Sequence, residues 1–268
     1  MNALLKNIVR TWTNNFEGLY KPASLYPLVA LRIAFGFTMS AWGMLMILSG
    51  RVSEVFSRQV IRFPYDGLEW LQPLPFWGMV AVFLLISVSA LMLAAGWFFR
   101  VAASVFALLF AYVSFIDKAS YLSYYYLVML LAVMLTFSPA HRLFSIDLIR
   151  KPSLRVDYVP NWLLLVFKVQ VIMVFFFAGM AKLNSDWLYS GIQVSLWLQD
   201  IEQAVGLSSS VVANNGWFAI GLSWLLVIFD FLLPHFLIDP KTSTRAFWTV
   251  VLVQMLAMIL LPTGIFPL

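Results

Sequence analysis

Long apolar runs, broken by short polar stretches, dominate this chain. They fall at about 25 to 48, 75 to 98, 101 to 116, 122 to 138, 161 to 181, 216 to 237 and 246 to 264. About 20 apolar residues rising ~1.5 Å each cross a hydrocarbon layer ~30 Å thick, so each run predicts a transmembrane helix. The fold class that follows is all-α, a polytopic membrane helical bundle of about seven transmembrane helices. Two segments have a different period. Over residues 1–20, Leu5, Ile8, Trp12 and Phe16 share one helical face while Lys6, Asn14 and Glu17 lie elsewhere, which predicts an N-terminal interfacial amphipathic helix. Lys6 and Arg10 interrupt the apolar core that a signal peptide would need. Residues 189–213 alternate Leu196, Trp197, Leu198 and Ile201 with Asp200 and Glu202, which predicts a short external helix or re-entrant segment.

Composition agrees with that pattern. The chain is 62% hydrophobic and 11% charged, against roughly 25% charge in a soluble domain, so its solvent is the lipid bilayer. Its 268 residues leave no room for a second domain beside seven spans. The net charge of +5 reads as orientation and not as nucleic-acid binding. With the N-terminus in the cytoplasm, ten basic residues face four acidic ones inside, and five basic residues face seven acidic ones outside. The C-terminus is then external. With no cysteine and only His141 and His235, disulfide, thiolate and histidine-rich metal sites are excluded, and no metal is expected. There is no P-loop, GxGxxG, GxSxG or HExxH motif to support a nucleotide or hydrolase reading.

Polar and aromatic side chains gather in three segments on the predicted outer side: Phe63 to Trp70, Asp117 to Tyr121, and Ala181 to Trp187. Tyr65, Asp66, Glu69, Trp70, Lys182, Asn184, Asp186 and Trp187 are the expected pocket residues, on the argument that connections meeting on one side can enclose a single cavity. Lys118 ends the third span, where a dehydrated amine can act as a general base. The alternative is that it snorkels to the headgroups or pairs with its neighbour Asp117. Lys182 and Asp186, four apart, could form a helix-end pair. Tyr121, Tyr124, Tyr125 and Tyr126 could line a slot for a flat ring, although packing between helices explains them as well. Deeper charges form a second set. Arg32, Lys168 and Asp230 each lie about seven residues from the inner end of a span, near ~10 Å depth at ~1.5 Å per residue. Asp230 is expected to pair with Arg32 or Lys168, with Gln254 and Gln170 as hydrogen-bond partners, more as structural glue than as a proton path.

Several of these segments, in this order, resemble the membrane domain shared by vitamin K-dependent gamma-glutamyl carboxylases and the bacterial HTTM (horizontally transferred transmembrane) family. The landmarks are Leu31 to Gly36, Phe63 to Trp70 with Pro73-Leu74-Pro75, Asp117-Lys118, Pro139-Ala140-His141-Arg142 with Ser145 and Asp147, Phe176 to Gly179, Lys182-Leu183-Asn184, Asp186-Trp187-Leu188, and Gly264 to Pro267. The resemblance implies an HTTM-like transmembrane domain over residues 21–268. It also implies that Lys118 deprotonates a reduced quinone in a carboxylase-like (lyase/oxygenase) reaction on peptide glutamate. Three departures bear on activity. Tyr124 stands where the family commonly has histidine, Gln254 replaces a last-span histidine, and Lys168 stands where arginine is common. The chain ends at Leu268 without the large extramembrane domain of the carboxylases, so docking of a peptide substrate would require a partner subunit.

Two functional expectations follow. One is a bacterial inner-membrane, multi-pass protein whose externally open pocket takes a quinone or another lipid-like cofactor in peptide or protein modification. The other is a non-catalytic membrane subunit or scaffold of a larger complex, or an accessory in peptide maturation and export.

Overall fold

The computed structural model describes residues 18–57, 62–119, 121, 123–205 and 216–238, with positions 242, 245, 249 and 252, and leaves out the side chains of 123, 124, 200, 202–205 and 238. The chain forms two compact units, Met1–Phe167 and Lys168–Leu268. The interfacial helix expected over residues 1–20 lies outside the described residues up to residue 17.

In the first unit, β1 (Pro22–Ser24) leads into α1 (Tyr26–Leu48). Pro27 sits in the first turn of α1, where its missing N–H costs no helical hydrogen bond. The buried face of α1 runs through Leu28, Arg32, Phe35, Met39 and Trp42, alternating steps of four and three residues that keep them on one helical stripe. It packs on α2 (Phe76–Ala95). Small residues let the two backbones meet. A Cβ added at Gly36 would lie 2.5 Å from the Ala90 carbonyl oxygen, and one at Gly43 would lie 2.5 Å from Ser87 Oγ. In lipid, where apolar faces gain nothing from leaving water, such close approach is a main source of helix association.

Gly96 ends α2 in the left-handed conformation (φ +66°), donating its N–H to Leu93 O. Three residues later α3 (Phe99–Phe115) begins, and α4 (Ser123–Phe137) packs on it. Trp42 of α1 lies at the centre of this unit. Its ring centroid is 5.6 Å from Phe83 of α2, 5.4 Å from Phe110 of α3 and 6.0 Å from Tyr125 of α4, so one side chain ties four helices together. After α4 come a 3₁₀ turn (Ala140–Arg142), the short α5 (Ile146–Arg150) and β2 (Tyr158–Pro160). β2 pairs antiparallel with β1 in the register Pro22↔Pro160, Ala23↔Val159, Ser24↔Tyr158. The all-α expectation did not include this sheet. Three-residue strands far apart in the chain leave no periodic signal.

α6 (Asn161–Ala181) crosses the division between the units. The second unit continues with α7 (Ser185–Leu188), α8 (Ile192–Val205) and α9 (Gly216–Ile238). Here the indole N–H of Trp224 donates to Leu188 O at 3.0 Å, and Phe176 meets Phe231 edge-on at 5.9 Å. The expected amphipathic element over 189–213 is thus a helix over Ile192–Val205, its remainder lying outside the described residues.

Among the described residues, four helices are long and apolar enough to cross a membrane: Tyr26–Leu48, Phe76–Ala95, Asn161–Ala181 and Gly216–Leu237. Phe99–Phe115 and Tyr125–Phe137 are apolar but shorter. The last expected run, 246–264, lies outside the described residues apart from Thr249 and Leu252, both helical. Large apolar side chains are exposed on these helices, among them Phe37, Leu45, Leu85, Leu108 and Leu225. Faces of this kind suit contact with a lipid bilayer.

Candidate functional site

At the C-terminal end of α3 the chain turns through Asp117 and Lys118 onto the segment 63–71. Asp117 is buried, and its Oδ1 accepts the N–H of Phe63 at 2.9 Å and that of Ala119 at 3.2 Å. The Lys118 N–H donates to Phe63 O at 2.8 Å, so Phe63 is held from both sides. A turn, closed by the Leu68 N–H on Tyr65 O at 2.9 Å, then presents Asp66. Lys118 Nζ lies 3.3 Å from Asp66 Oδ1 and 5.5 Å from the Tyr65 ring centroid. Tyr65 stands edge-on to Phe115 (5.6 Å) and Tyr121 (6.5 Å), and Tyr121 edge-on to Tyr125 (6.0 Å), which joins this corner to the aromatic core around Trp42.

The lysine's salt-bridge partner is therefore Asp66, 52 positions away, while its chain neighbour Asp117 binds backbone. The Lys118 side chain is 40% exposed and that of Asp66 fully exposed, and an exposed pair of this kind contributes little to stability. Glu69 and Trp70 are exposed nearby. The Glu69 carboxylate accepts the Gly67 N–H at 3.0 Å, and backbone N–H groups hold it below the usual carboxylate range. Burial raises the Tyr121 phenol above its ordinary value. The side chain of Tyr124 lies outside the described residues.

The N-terminal end of α3 repeats the device. Asp147 Oδ1 accepts the N–H of Phe98 (2.9 Å) and Oδ2 that of Phe99 (3.0 Å), capping the helix from 48 residues away. Ser145 caps α5 by accepting the Leu148 N–H at 3.1 Å, while its own hydroxyl donates to His141 O. Arg32, fully buried, reaches across from α1: Nη1 donates to Ala140 O (2.8 Å) and Leu143 O (3.3 Å), and Nη2 to Phe144 O (2.6 Å). A Cβ at Gly96 would fall 2.9 Å from Arg32 Nη1 and 2.4 Å from Ser145 Cβ, so only glycine leaves the guanidinium its place. The expected Asp230 partner is thus corrected. Arg32 places its two terminal nitrogens on three carbonyls of the 140–144 loop, which offsets the cost of its depth, while its Nε is buried without a hydrogen-bond partner.

In the second unit, Asp230 of α9 bonds Lys182, which follows α6, at 2.5 Å; the side chains are 9% and 21% exposed. Lys182 also lies 5.4 Å from the Trp187 ring. This corrects two expectations, the pairing of Asp230 with Arg32 or Lys168 and that of Lys182 with Asp186. Counting residues from a helix end measures depth only for a helix parallel to the membrane normal, and the Lys182 bond brings residue 230 to the end of α6. The Lys182-Leu183-Asn184 segment is a cap: Asn184 Oδ1 accepts the N–H groups of Asp186 (3.0 Å) and Trp187 (3.1 Å). Asp186 is exposed and its carboxylate takes the Ser185 hydroxyl at 3.4 Å. Lys168 is exposed on α6, and Gln254 lies outside the described residues. The expected pocket residues thus form two clusters, each within its own unit.

Residues 20–268 match the family model of the HTTM domain, nearly the whole chain. The chain belongs to the HTTM domain family. No solved structure matches it. In this HTTM-family chain the segments that carried the resemblance are mostly contacts that hold the helices: Arg32 on the 140–144 carbonyls, Ser145 and Asp147 as caps, Asp117 on Phe63, and Asn184 on α7. Among them, Lys118 presents a half-exposed cationic head. Sequence reasoning missed Asp66 as its partner. The only signal for it was that both residues sit in polar, aromatic segments on the same predicted side.

Proposed function

We propose that this membrane-embedded HTTM protein binds a flat, lipid-like molecule, a quinone being the class its family resemblance suggests, at the corner made by Lys118, Asp66, Tyr65 and Tyr121. The observation that carries this reading is a lysine head fixed at its backbone by Asp117 and Phe63, paired with an open carboxylate, and flanked by two tyrosine rings. These residues fit the group, since the rings offer apolar faces and the ammonium a hydrogen-bond donor to a ring oxygen. A bound quinone would supply a redox-active ring, whose reduced form carries an ionisable hydroxyl. Lys118 Nζ, held 3.3 Å from Asp66 Oδ1, would donate a hydrogen bond to that oxygen and orient the ring. A partner subunit presents the peptide to be modified. The full bundle has about seven spans with an external corner, in a bacterial inner membrane, N-terminus cytoplasmic. Hydropathy and the distribution of basic residues support that arrangement.

A second reading is a non-catalytic membrane subunit or scaffold, or a peptide maturation and export accessory. It is favoured by the number of motif residues that hold backbone, Asp117 above all. One experiment separates the two. Purified full-length protein in mixed micelles is titrated with menaquinone and ubiquinone, followed by tryptophan fluorescence, beside Lys118→Ala. The cofactor reading expects binding weakened at least tenfold in the variant with Tm within about 2 °C of the parent, because an exposed pair is worth ~1 kcal/mol or less. Equal binding by both proteins, or none by either, overturns it and leaves the scaffold.

A further inference from the structure

At the Asp147 end of α3 a cavity of about 300 Å³ opens between the start of that helix and the segment 147–154. Three cations line it, Arg100 from α3 and Arg150 and Lys151 from the end of α5, all exposed. One carboxylate lines it too, Asp147, and both of its oxygens already hold the Phe98 and Phe99 N–H groups. The helix N-terminus is therefore capped, and positive side chains outnumber the engaged carboxylate. His141 forms part of the wall. Its ring stacks on Phe99 at 5.3 Å, its Nδ1 is buried without a hydrogen-bond partner, and burial with the nearby Arg100 and Arg142 keeps it below its ordinary pKa.

The rest of the lining is apolar: Phe98, Val101 and Leu154. Phe98 holds a left-handed backbone (φ +45°) that a bulky residue rarely adopts, fixed by the Asp147 bond to its N–H. Its ring is 51% exposed and lies 4.9 Å from the Arg150 guanidinium, with Trp97 on the other side at 5.8 Å. Beside the cavity, Val101, Phe144 and Ile149 are exposed as well, at 62%, 63% and 79%. Cations grouped beside outward-facing apolar side chains match a ligand that is anionic at one end and hydrocarbon at the other.

We propose that this cavity binds the phosphate headgroup of an anionic phospholipid, with Arg100, Arg150 and Lys151 around the phosphate and the acyl chains along Phe98, Val101 and the apolar surface of α3. A soluble phosphoryl compound shares the headgroup chemistry but cannot use the exposed apolar rim. The lipid would brace α3 against α5 next to the Arg32 loop.

The test uses purified full-length protein in neutral detergent micelles, with phosphatidylglycerol, phosphatidylcholine or glycerol phosphate added. Bound lipid is counted by native mass spectrometry and Tm is followed in parallel. Phosphatidylglycerol is expected to bind at least tenfold tighter than phosphatidylcholine and to raise Tm, and glycerol phosphate to do neither. The variant Arg100→Gln/Arg150→Gln/Lys151→Gln is expected to lose this preference. Lys21→Gln/Arg51→Gln/Arg155→Gln, with the same loss of charge elsewhere in the unit, is expected to keep it. All six positions are exposed, so neither variant disturbs the core, and Arg100→Gln alone provides a milder check. Equal binding of the two lipids, equal loss in the two triple variants, or protection by glycerol phosphate as strong as by the lipid overturns the proposal.

Discussion

At one end of α3 the Asp147 carboxylate receives the N–H groups of Phe98 and Phe99; at the other, Asp117 receives those of Phe63 and Ala119. Each aspartate stitches a distant loop to a helix end. The cations associated with the two loops differ. Arg32 is wholly enclosed, with its donors on three carbonyls, whereas Lys118 projects outward, 40% exposed, onto a carboxylate that itself lies fully open. Burial separates a structural motif from a candidate site: a cation with no water around it must find its partners within the fold, and one at the rim can exchange its partner for a ligand.

The largest expected effect is at the enclosed cation, Arg32. Arg32→Met strands the carbonyls of Ala140, Leu143 and Phe144 and is expected to cost about 3–5 kcal/mol, read from denaturant unfolding in detergent. A loss below ~1 kcal/mol would mean that water reaches this loop and that the two ends do not differ as argued. Next comes Lys182–Asp230, buried but in the other unit, which asks whether burial alone sets the cost. Asp230→Asn is expected to lose about 2–4 kcal/mol, and Lys182→Met/Asp230→Leu to recover most of it, since an apolar pair leaves no charge alone. Additive losses in the double variant would break that account.

Asp147→Ala and Asp117→Ala should be closer to each other, about 1–3 kcal/mol each, because each releases two backbone donors. A clearly smaller loss at Asp147, the less buried of the two, would show that water replaces its carboxylate there. The smallest effect is in pH. Burial first, and then the Arg100 and Arg142 cations, hold the His141 imidazole below its ordinary 6.5, so the unfolded chain binds this proton more readily than the folded one. The stability linked to His141 is complete above about 6.5 and declines as pH falls through that value toward the lower folded pKa. His141→Gln should flatten the fall in Tm between pH 7.5 and 5.5, and an unchanged slope would place the proton elsewhere.

The helices were legible because their signal is local. Expected boundaries at 25–48, 122–138, 161–181 and 216–237 agree with Tyr26–Leu48, Ser123–Phe137, Asn161–Ala181 and Gly216–Ile238 to within one residue. The second run was read three residues too long because Trp97 and Phe98 are apolar, although Gly96 had already turned the chain. The candidate corner was legible in its members and not in its bonds: Tyr65, Asp66 and Lys118 were all named, yet neither the Lys118–Asp66 pair nor the grip of Asp117 on Phe63 could be read from their spacing.

The chain by itself determined that this is a membrane-embedded, helical HTTM protein, because twenty apolar residues in a row have one favourable solvent and their backbone must close its hydrogen bonds within the helix. Tertiary structure alone decided which charge meets which. Asp230 takes Lys182 in place of Arg32, Arg32 takes three carbonyls, and three residues at 22–24 pair with three at 158–160. A charge in a low-dielectric interior seeks whatever partner the packed helices bring within about 3 Å, and that distance is set by helix crossings that no local pattern encodes.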